Sequence, residues 1–112
     1  MNFSKQKLGK LVLITINISE AGLNQSDDFK SFLYDCTEDT EPKLVIDMDK
    51  VNYMDSSFIG ALVAGLKNVL SKNGEMALVK IQKDVLALFE LTRLDKVFKI
   101  YNSVDEAIED IK

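Results

Sequence analysis

Histidine is absent from this chain of 112 residues, and cysteine occurs once, as Cys36. Without histidine, the usual zinc sites and cysteine–histidine catalytic pairs cannot be assembled, and a single cysteine cannot close a disulfide within the chain. Long apolar runs are also lacking: the longest, from Leu11 to Ile16, is interrupted by Thr15 and is too short to cross a bilayer. Residues 1–16 lack the apolar core and cleavage site of a signal peptide, so we expect a cytoplasmic protein with no membrane partner.

Basic residues are fewer than acidic ones, 14 against 18, and the formal net charge is −4. A nucleic-acid surface needs clustered lysine and arginine in excess, so we expect no nucleic-acid partner. Hydrophobic residues make up 46% of the chain and charged residues 29%, which is typical of a packed globular protein. The length fits one domain, residues 1–112.

The hydrophobic pattern predicts alternating strands and helices. Residues 10–19 alternate like a strand with one buried face, and residues 2–8 are predicted to pair with it through a turn at Gly9. Ser26 is predicted to cap the first helix. From residue 43 onward, strand and helix alternate three times, which implies right-handed crossovers. We therefore predict an α/β domain with a mixed, mostly parallel sheet of four to five strands and with helices mainly on one face.

The segment YMDSSFIGAL, residues 53–62, places Asp55 and Ser56 between a strand-like run and a helix-like run. In one interpretation, Asp55 or Ser56 only caps the helix. In the other, a serine exposed at the helix N-terminus is a modification site. A phosphate there would face unpaired N–H groups and the positive end of the helix dipole, so the fold would tolerate it while a docked partner would not. The motif by itself leaves both interpretations open.

Intrinsic catalysis and metal binding are not expected. A catalytic serine ordinarily needs a general base, histidine is absent, and Lys67 lies three turns along the helix from the serine motif. Gly60 and Gly65 fall inside the predicted helix, so they do not form a phosphate-binding loop. Asp47 and Asp49 have no third oxygen ligand fixed by the sequence, so they are predicted to be solvated carboxylates. We predict no enzyme activity, no catalytic residue, no cofactor and no metal.

Two longer segments carry a family resemblance: LVIDMDKVNYMDSSFIGALV and LFELTRLDKVFKIYNSVDEAI. They resemble the STAS domain, specifically the stand-alone bacterial anti-sigma factor antagonists. The first is similar to the family's strand, aspartate–serine switch and following helix, and the second to its last strand and terminal helix. Together with the N-terminal strand pair and GLNQSDDF, the resemblance covers essentially the whole chain. It implies a single STAS-like α/β domain.

The resemblance implies partner switching in the control of transcription. In such proteins the unmodified form binds an anti-sigma factor that is also an ATP-dependent serine kinase, and the sigma factor is released. Phosphorylation of the serine after the aspartate ends this binding, and a metal-dependent serine phosphatase restores it. Carried onto this sequence, the phosphorylated residue is Ser56, with Ser57 as the adjacent candidate. ATP and magnesium would belong to the kinase, and a monomer is favoured over a dimer.

A STAS interaction or structural subunit of a transport or signalling complex is the alternative, with Ser56 acting only as a cap. For the switch, the predicted partner-binding residues are Asn24, Asp55, Ser56, Ser57, Phe58, Gly60, Ala61 and Ala64. Gly60, Ala61, Ala64 and Gly65 form a surface of small residues along the helix. They either let the helix pack closely against its neighbours or form a shallow surface on which a partner helix can bind.

Three residues depart from the family pattern. Phe58 stands where such proteins usually have glycine, and it is either an exposed anchor for a partner or packed against the neighbouring loop. Arg93 also replaces a glycine, and it would cost about 1 kcal/mol if the position needs a positive φ. Asn24 replaces an aspartate, and loss of that carboxylate would weaken recognition by the kinase or the phosphatase.

Overall fold

A five-stranded sheet forms the centre of the protein in a computed structural model, which describes residues 1–111. The elements in chain order are β1 (Phe3–Leu8), β2 (Leu11–Ile16), β3 (Glu20–Ala21), α1 (Leu23–Asp35), β4 (Lys43–Asp47), β5 (Tyr53–Met54), α2 (Ser56–Ser71), β6 (Glu75–Val79), α3 (Lys83–Leu91), a 3-10 helix (Leu94–Lys96), β7 (Lys99–Tyr101) and α4 (Val104–Ile111). The strand order is β1-β2-β4-β6-β7, with β1 antiparallel to β2 and the other neighbours parallel. The predicted mixed, mostly parallel sheet is confirmed.

The main core lies between one face of the sheet and the helices α1, α2 and α3. Its largest fully buried side chains include Phe29, Phe58 and Phe89. On the other face, α4 contributes Ala107 and Ile111 to a smaller apolar cluster. Consecutive residues of β4 are therefore buried on both faces, which explains its continuous apolar run. The prediction of helices mainly on one face is confirmed.

None of the helices within residues 1–111 has the length and apolar character needed to span a membrane.

The predicted N-terminal hairpin is present, but α1 begins earlier than predicted. Gly9 adopts φ +66° in the turn between β1 and β2, a conformation that favours glycine. α1 begins at Leu23 with Gly22 as its N-cap, and the Gly22 N–H donates to Oε1 of Gln25 at 3.0 Å. The prediction that Ser26 caps this helix is wrong. Ser26 is buried inside the helix, and its hydroxyl donates to the carbonyl of Leu23 at 3.0 Å.

A second, two-stranded sheet lies beyond the ends of β2 and β4. Its strands β3 and β5 are parallel, with Glu20 opposite Tyr53 and Ala21 opposite Met54. Asn52 also donates its backbone N–H to the carbonyl of Ser19 at 2.8 Å. This pairing was not predicted from the sequence. It fixes the segment that leads into α1 beside the segment that leads into α2.

Arg93 adopts φ +63° between α3 and the 3-10 helix, so the position is one that favours glycine. We expect Arg93→Gly to raise the free energy of unfolding by about 1 kcal/mol, because relief of the left-handed conformation outweighs the added chain entropy of glycine. Urea denaturation measures the change. The matched control is Lys67→Gly at an exposed position inside α2, which should lose about 1 kcal/mol. Destabilisation by Arg93→Gly would show that the arginine side chain makes a larger favourable contribution.

Candidate functional site

Two helix N-termini lie side by side at the carboxyl end of the parallel strands. α1 follows β3 after one residue, and α2 follows β5 after one residue. Because β3 and β5 pair with each other, the first turns of the two helices are neighbours. Helix N-termini carry unpaired N–H groups and a partial positive charge. The carboxyl edge of a parallel sheet is also where ligands and partners usually meet this class of fold.

The carboxylate of Asp55 joins the two helices. Its Oδ1 accepts the backbone N–H of Phe58 at 3.0 Å, which makes Asp55 the N-cap of α2. Its Oδ2 accepts the backbone N–H of Leu23, the first residue of α1, also at 3.0 Å. The Asp55 N–H in turn donates to the carbonyl of Ala21 at 3.0 Å. The capping interpretation therefore holds for Asp55, and one side chain satisfies a donor from each helix.

Gly22 has no side chain and so leaves space for the carboxylate of Asp55. A Cβ atom at position 22 would lie 2.9 Å from Oδ2 of Asp55 and 3.4 Å from its Cγ. The backbone of Gly22 is extended, so the glycine is required by the close approach of the carboxylate and not by an unusual φ. Any larger residue would push the carboxylate away from the N–H of Leu23.

Ser56 is the first residue of α2, and its side chain is exposed. Within residues 1–111, its hydroxyl makes no hydrogen bond, since the capping role belongs to Asp55. Ser57 is partly buried. The hydroxyl of Ser56 is therefore exposed to solvent, and none of the described hydrogen bonds depends on it.

Phe58 is fully buried, which excludes the exposed-anchor alternative. Its ring stacks on Phe29 with centroids 4.5 Å apart and an interplanar angle of 15°, and its centroid lies 6.4 Å from that of Phe3. The prediction that Phe58 contacts a partner is wrong, because the position belongs to the apolar stripe of α2 that faces α1 and the sheet. The ring packs into the core itself, not against a loop.

The small residues of α2 divide between the interior and the surface. Gly65 is buried, and a Cβ there would lie 2.5 Å from Cδ1 of Leu33, so this position serves close packing against α1. Ala61 is buried as well, yet it is among the residues that line a shallow hollow on the surface, so its predicted role as a partner contact stays a prediction. Ala64 is partly buried, and Gly60 is exposed.

Two shallow hollows involve the sequence neighbours of Ser56, Asp55 in one and Ser57 in the other, and Leu23 lines both. The first hollow is lined by Glu20, Gly22, Leu23, Asn24, Gln25, Tyr53 and Asp55. The second hollow is lined by Leu23, Ser26, Asp27, Lys30, Ser57, Gly60 and Ala61. The structure thus brings Asn24, Asp55, Ser57 and Gly60 to one surface, whereas Ala64 lines neither hollow.

Two exposed apolar side chains on this surface were missed from the sequence. Leu23 is 69% exposed and Tyr53 is 56% exposed, although both are large enough to be expected in a core. Tyr53 lies between the exposed Asn52 and the buried Met54, and Leu23 begins α1 outside its buried face. One pattern in the sequence could have indicated their exposure: each is an apolar residue with polar neighbours, close to the start of a helix.

Asp47 and the single cysteine, Cys36, lie outside this surface. Asp47 accepts the backbone N–H of Asp49 at 3.0 Å and lies 3.8 Å from the ammonium nitrogen of Lys80. Within residues 1–111, no group of three or more acidic or cysteine side chains is arranged to hold a metal ion. Burial raises the pKa of the Cys36 thiol, so the reactive thiolate is disfavoured. The site around Ser56 therefore offers an exposed hydroxyl with surface hollows close by.

Comparisons with known proteins agree on one family. The chain matches the family model of the STAS domain over residues 6–107. A Thermotoga maritima protein named "Putative anti-sigma factor antagonist" is 29% identical over 102 residues, which cover 90% of this chain and 90% of that protein. A Listeria monocytogenes protein named "Anti-sigma-B factor antagonist" is 34% identical over 59 residues, which cover 53% of this chain and 52% of that protein.

The fold agrees with the same assignment. The crystal structure of a Thermotoga maritima "putative anti-sigma factor antagonist" superposes on this chain with a TM-score of 0.90 at 28% identity, covering 97% of this chain and 93% of that one. The family match includes the sheet from β2 onward, the serine motif and the first half of α4. The chain therefore belongs to the STAS domain family.

Proposed function

We propose that the protein is an anti-sigma factor antagonist that phosphorylation of Ser56 switches off. The unmodified chain binds an anti-sigma factor that is also a serine kinase, and the sigma factor is released. The names of the similar Thermotoga and Listeria proteins support the general role. The observation that carries the choice of residue is the exposed hydroxyl of Ser56 at the first position of α2, directly after the capping Asp55.

The proposed cycle needs chemistry from the partners only. The kinase transfers the γ-phosphoryl group of ATP to the hydroxyl oxygen of Ser56, ADP leaves, and the hydroxyl proton is released. A metal-dependent serine phosphatase later hydrolyses the ester to serine and inorganic phosphate. This chain supplies the hydroxyl and the docking surface, so it acts as a binding module and not as an enzyme. ATP and the metal ions belong to the partner proteins.

The local geometry explains why phosphate would change binding without unfolding the domain. The first N–H groups of α2 have no partners within the helix, and they favour an anion at its N-terminus. The bond from Asp55 to the N–H of Phe58 would continue to cap the helix. In the complex, however, a phosphate carrying nearly two negative charges would have to lose its water and occupy space that the partner needs. Phosphorylation would therefore destabilise the complex while the free domain stays folded.

Incubation with the purified anti-sigma factor kinases of the source bacterium, ATP and Mg²⁺, followed by phosphosite mapping, tests the proposal. We expect phosphate on Ser56, retained in Ser57→Ala and lost in Ser56→Ala. Binding to the same kinase should fall about tenfold or more in Ser56→Asp and much less in Ser56→Ala, because only the aspartate introduces a charge that must be desolvated. Ser56→Ala should change the free energy of unfolding by no more than about 0.5 kcal/mol, since Asp55 provides the cap.

Phosphorylation elsewhere, or equal binding by Ser56→Asp and wild type, would contradict the switch. The chain would then be better described as a STAS interaction or structural subunit without a phosphorylation cycle. Turnover of an acyl or phosphoryl substrate by the purified chain alone would contradict its assignment as a binding module.

A further inference from the structure

We infer that the kinase bound at this site presents a basic surface around an apolar pocket that receives Leu23 and Tyr53. This inference rests on the proposed function and specifies the chemistry of the partner. Two features of the molecule carry it: apolar side chains held outward on a fixed backbone, and an excess of negative charge at the end of the fold where they lie.

Leu23 and Tyr53 are exposed although their backbones are fixed. The N–H of Leu23 donates to Asp55 at 3.0 Å, and Tyr53 pairs with Glu20 in the small sheet. Because these backbones are already ordered, binding has to fix only the side-chain rotamers and not the chain, so more of the apolar burial contributes to affinity. Tyrosine is also among the residues that most often dominate binding energy at interfaces. Both side chains are therefore suited to act as anchors.

Negative charge is concentrated at the same end of the fold. The carboxyl ends of the parallel strands, the loops that follow them and the first turns of the helices share this end. The charged residues in these segments are the acidic Glu20, Asp47, Asp49, Asp55, Asp84, Asp105 and Glu106 and the basic Lys50, Lys80 and Lys83. Their formal excess of four negative charges equals the net charge of −4 of the whole chain. The other charged residues of the chain, 11 acidic and 11 basic, cancel in the formal count.

Each of the two hollows that Leu23 lines also contains a carboxylate. Glu20 lines the first hollow, and Asp27 lines the second. Neither of them forms an ion pair with another residue in the described part of the chain, 1–111. A partner that places lysine or arginine beside its apolar pocket would meet these carboxylates when Leu23 enters. Such complementarity selects against acidic partners and accelerates association.

A basic partner also constrains how phosphorylation acts. Long-range attraction between the partner and this end of the fold would not be weakened by an added anion. The phosphate must therefore act at close range, where it crowds the surface beside Leu23 and has to be desolvated. We expect phosphorylation to increase the dissociation rate constant, with little effect on the association rate constant.

The test measures association and dissociation of the full chain on the immobilised anti-sigma factor kinase that phosphorylates it. Leu23→Ser and Tyr53→Ser should each weaken binding about tenfold, mainly through faster dissociation. Raising NaCl from roughly 50 to roughly 500 mM should slow association about tenfold or more. Leu91→Ser, which removes an apolar side chain that is 82% exposed at the opposite end, is the matched control and should bind like wild type. Glu20→Gln should slow association more than Glu90→Gln.

The outcomes separate the inference from the proposed function. Phosphorylation at Ser56 together with equal binding by Leu23→Ser, Tyr53→Ser and Leu91→Ser would overturn the anchors and leave the switch intact. Tight, salt-sensitive binding that needs both anchors, but without phosphorylation at Ser56, would support the surface and overturn the switch. Association that does not respond to salt would overturn the basic partner. Absence of any binding by the wild-type chain would overturn both.

Discussion

Replacing Phe58 with alanine is expected to lower the free energy of unfolding by about 3–5 kcal/mol. The ring is fully buried and stacks on Phe29, with Phe3 nearby, so its removal forfeits apolar burial and leaves a cavity between α1, α2 and β1. Urea denaturation followed by circular dichroism measures the loss. The aromatic cluster joins three separate parts of the chain, so the surroundings cannot collapse easily around an alanine.

Tyr53→Ala is the matched aromatic control for this measurement. Tyr53 is more than half exposed, and its truncation should change stability by no more than about 0.5 kcal/mol. A loss below about 1 kcal/mol for Phe58→Ala would mean that the neighbouring rings close the space. Because the family resemblance implies glycine at this position, the result also measures how much this chain depends on a ring that such proteins usually lack.

Asp55→Ala is expected to lower the free energy of unfolding by about 2 kcal/mol. Loss of an N-cap typically costs about 1 kcal/mol, and loss of a hydrogen bond to a charged acceptor costs a similar amount or more. The bond to Leu23 lies at an exposed position, where water can replace the carboxylate, so we take the lower end of that range. Both losses follow from one substitution because a single carboxylate serves α1 and α2.

Asp55→Asn separates the two contributions. Asparagine offers one acceptor oxygen where aspartate offers two, so it can cap α2 or bind Leu23 but not both, and we expect about half of the loss. Asp49→Ala, which removes an exposed carboxylate, should have little effect. Amide hydrogen exchange at Leu23 provides a local readout. If Asp55→Asn were as stable as wild type, or if Asp55→Ala lost no more than Asp49→Ala, the bond between the helices would contribute nothing to stability.

Features set by neighbours along the chain could be predicted from the sequence. The β1–β2 turn follows from Gly9 between two strand-like runs, and the buried β4 follows from its continuous apolar run. The parallel sheet follows from the alternation of strands and helices after residue 43. The burial of Phe58 could have been predicted in the same way. The buried positions of α2 recur at three- and four-residue spacing, and counting that spacing backward from Ala61 reaches Phe58.

Features set by distant residues could not be predicted. The start of α1 depends on a carboxylate 32 residues further along the chain, so the local pattern pointed to Ser26 instead. The exposure of Leu23 and Tyr53 depends on the pairing of β3 with β5, and each of these strands has only two residues. Strands this short have no detectable alternation. Sequence reasoning therefore located the serine motif but missed the apolar side chains beside it.

The close approach of Gly22 to Asp55 has a consequence for how this site can diverge. A methyl group at position 22 would strike the carboxylate, while a shorter acceptor at position 55 would no longer reach Leu23. Neither position can change alone without releasing the first helix from the second. Descendants of this chain should therefore inherit the glycine and the aspartate as a pair, while the exposed side chains around them remain free to evolve toward new partners.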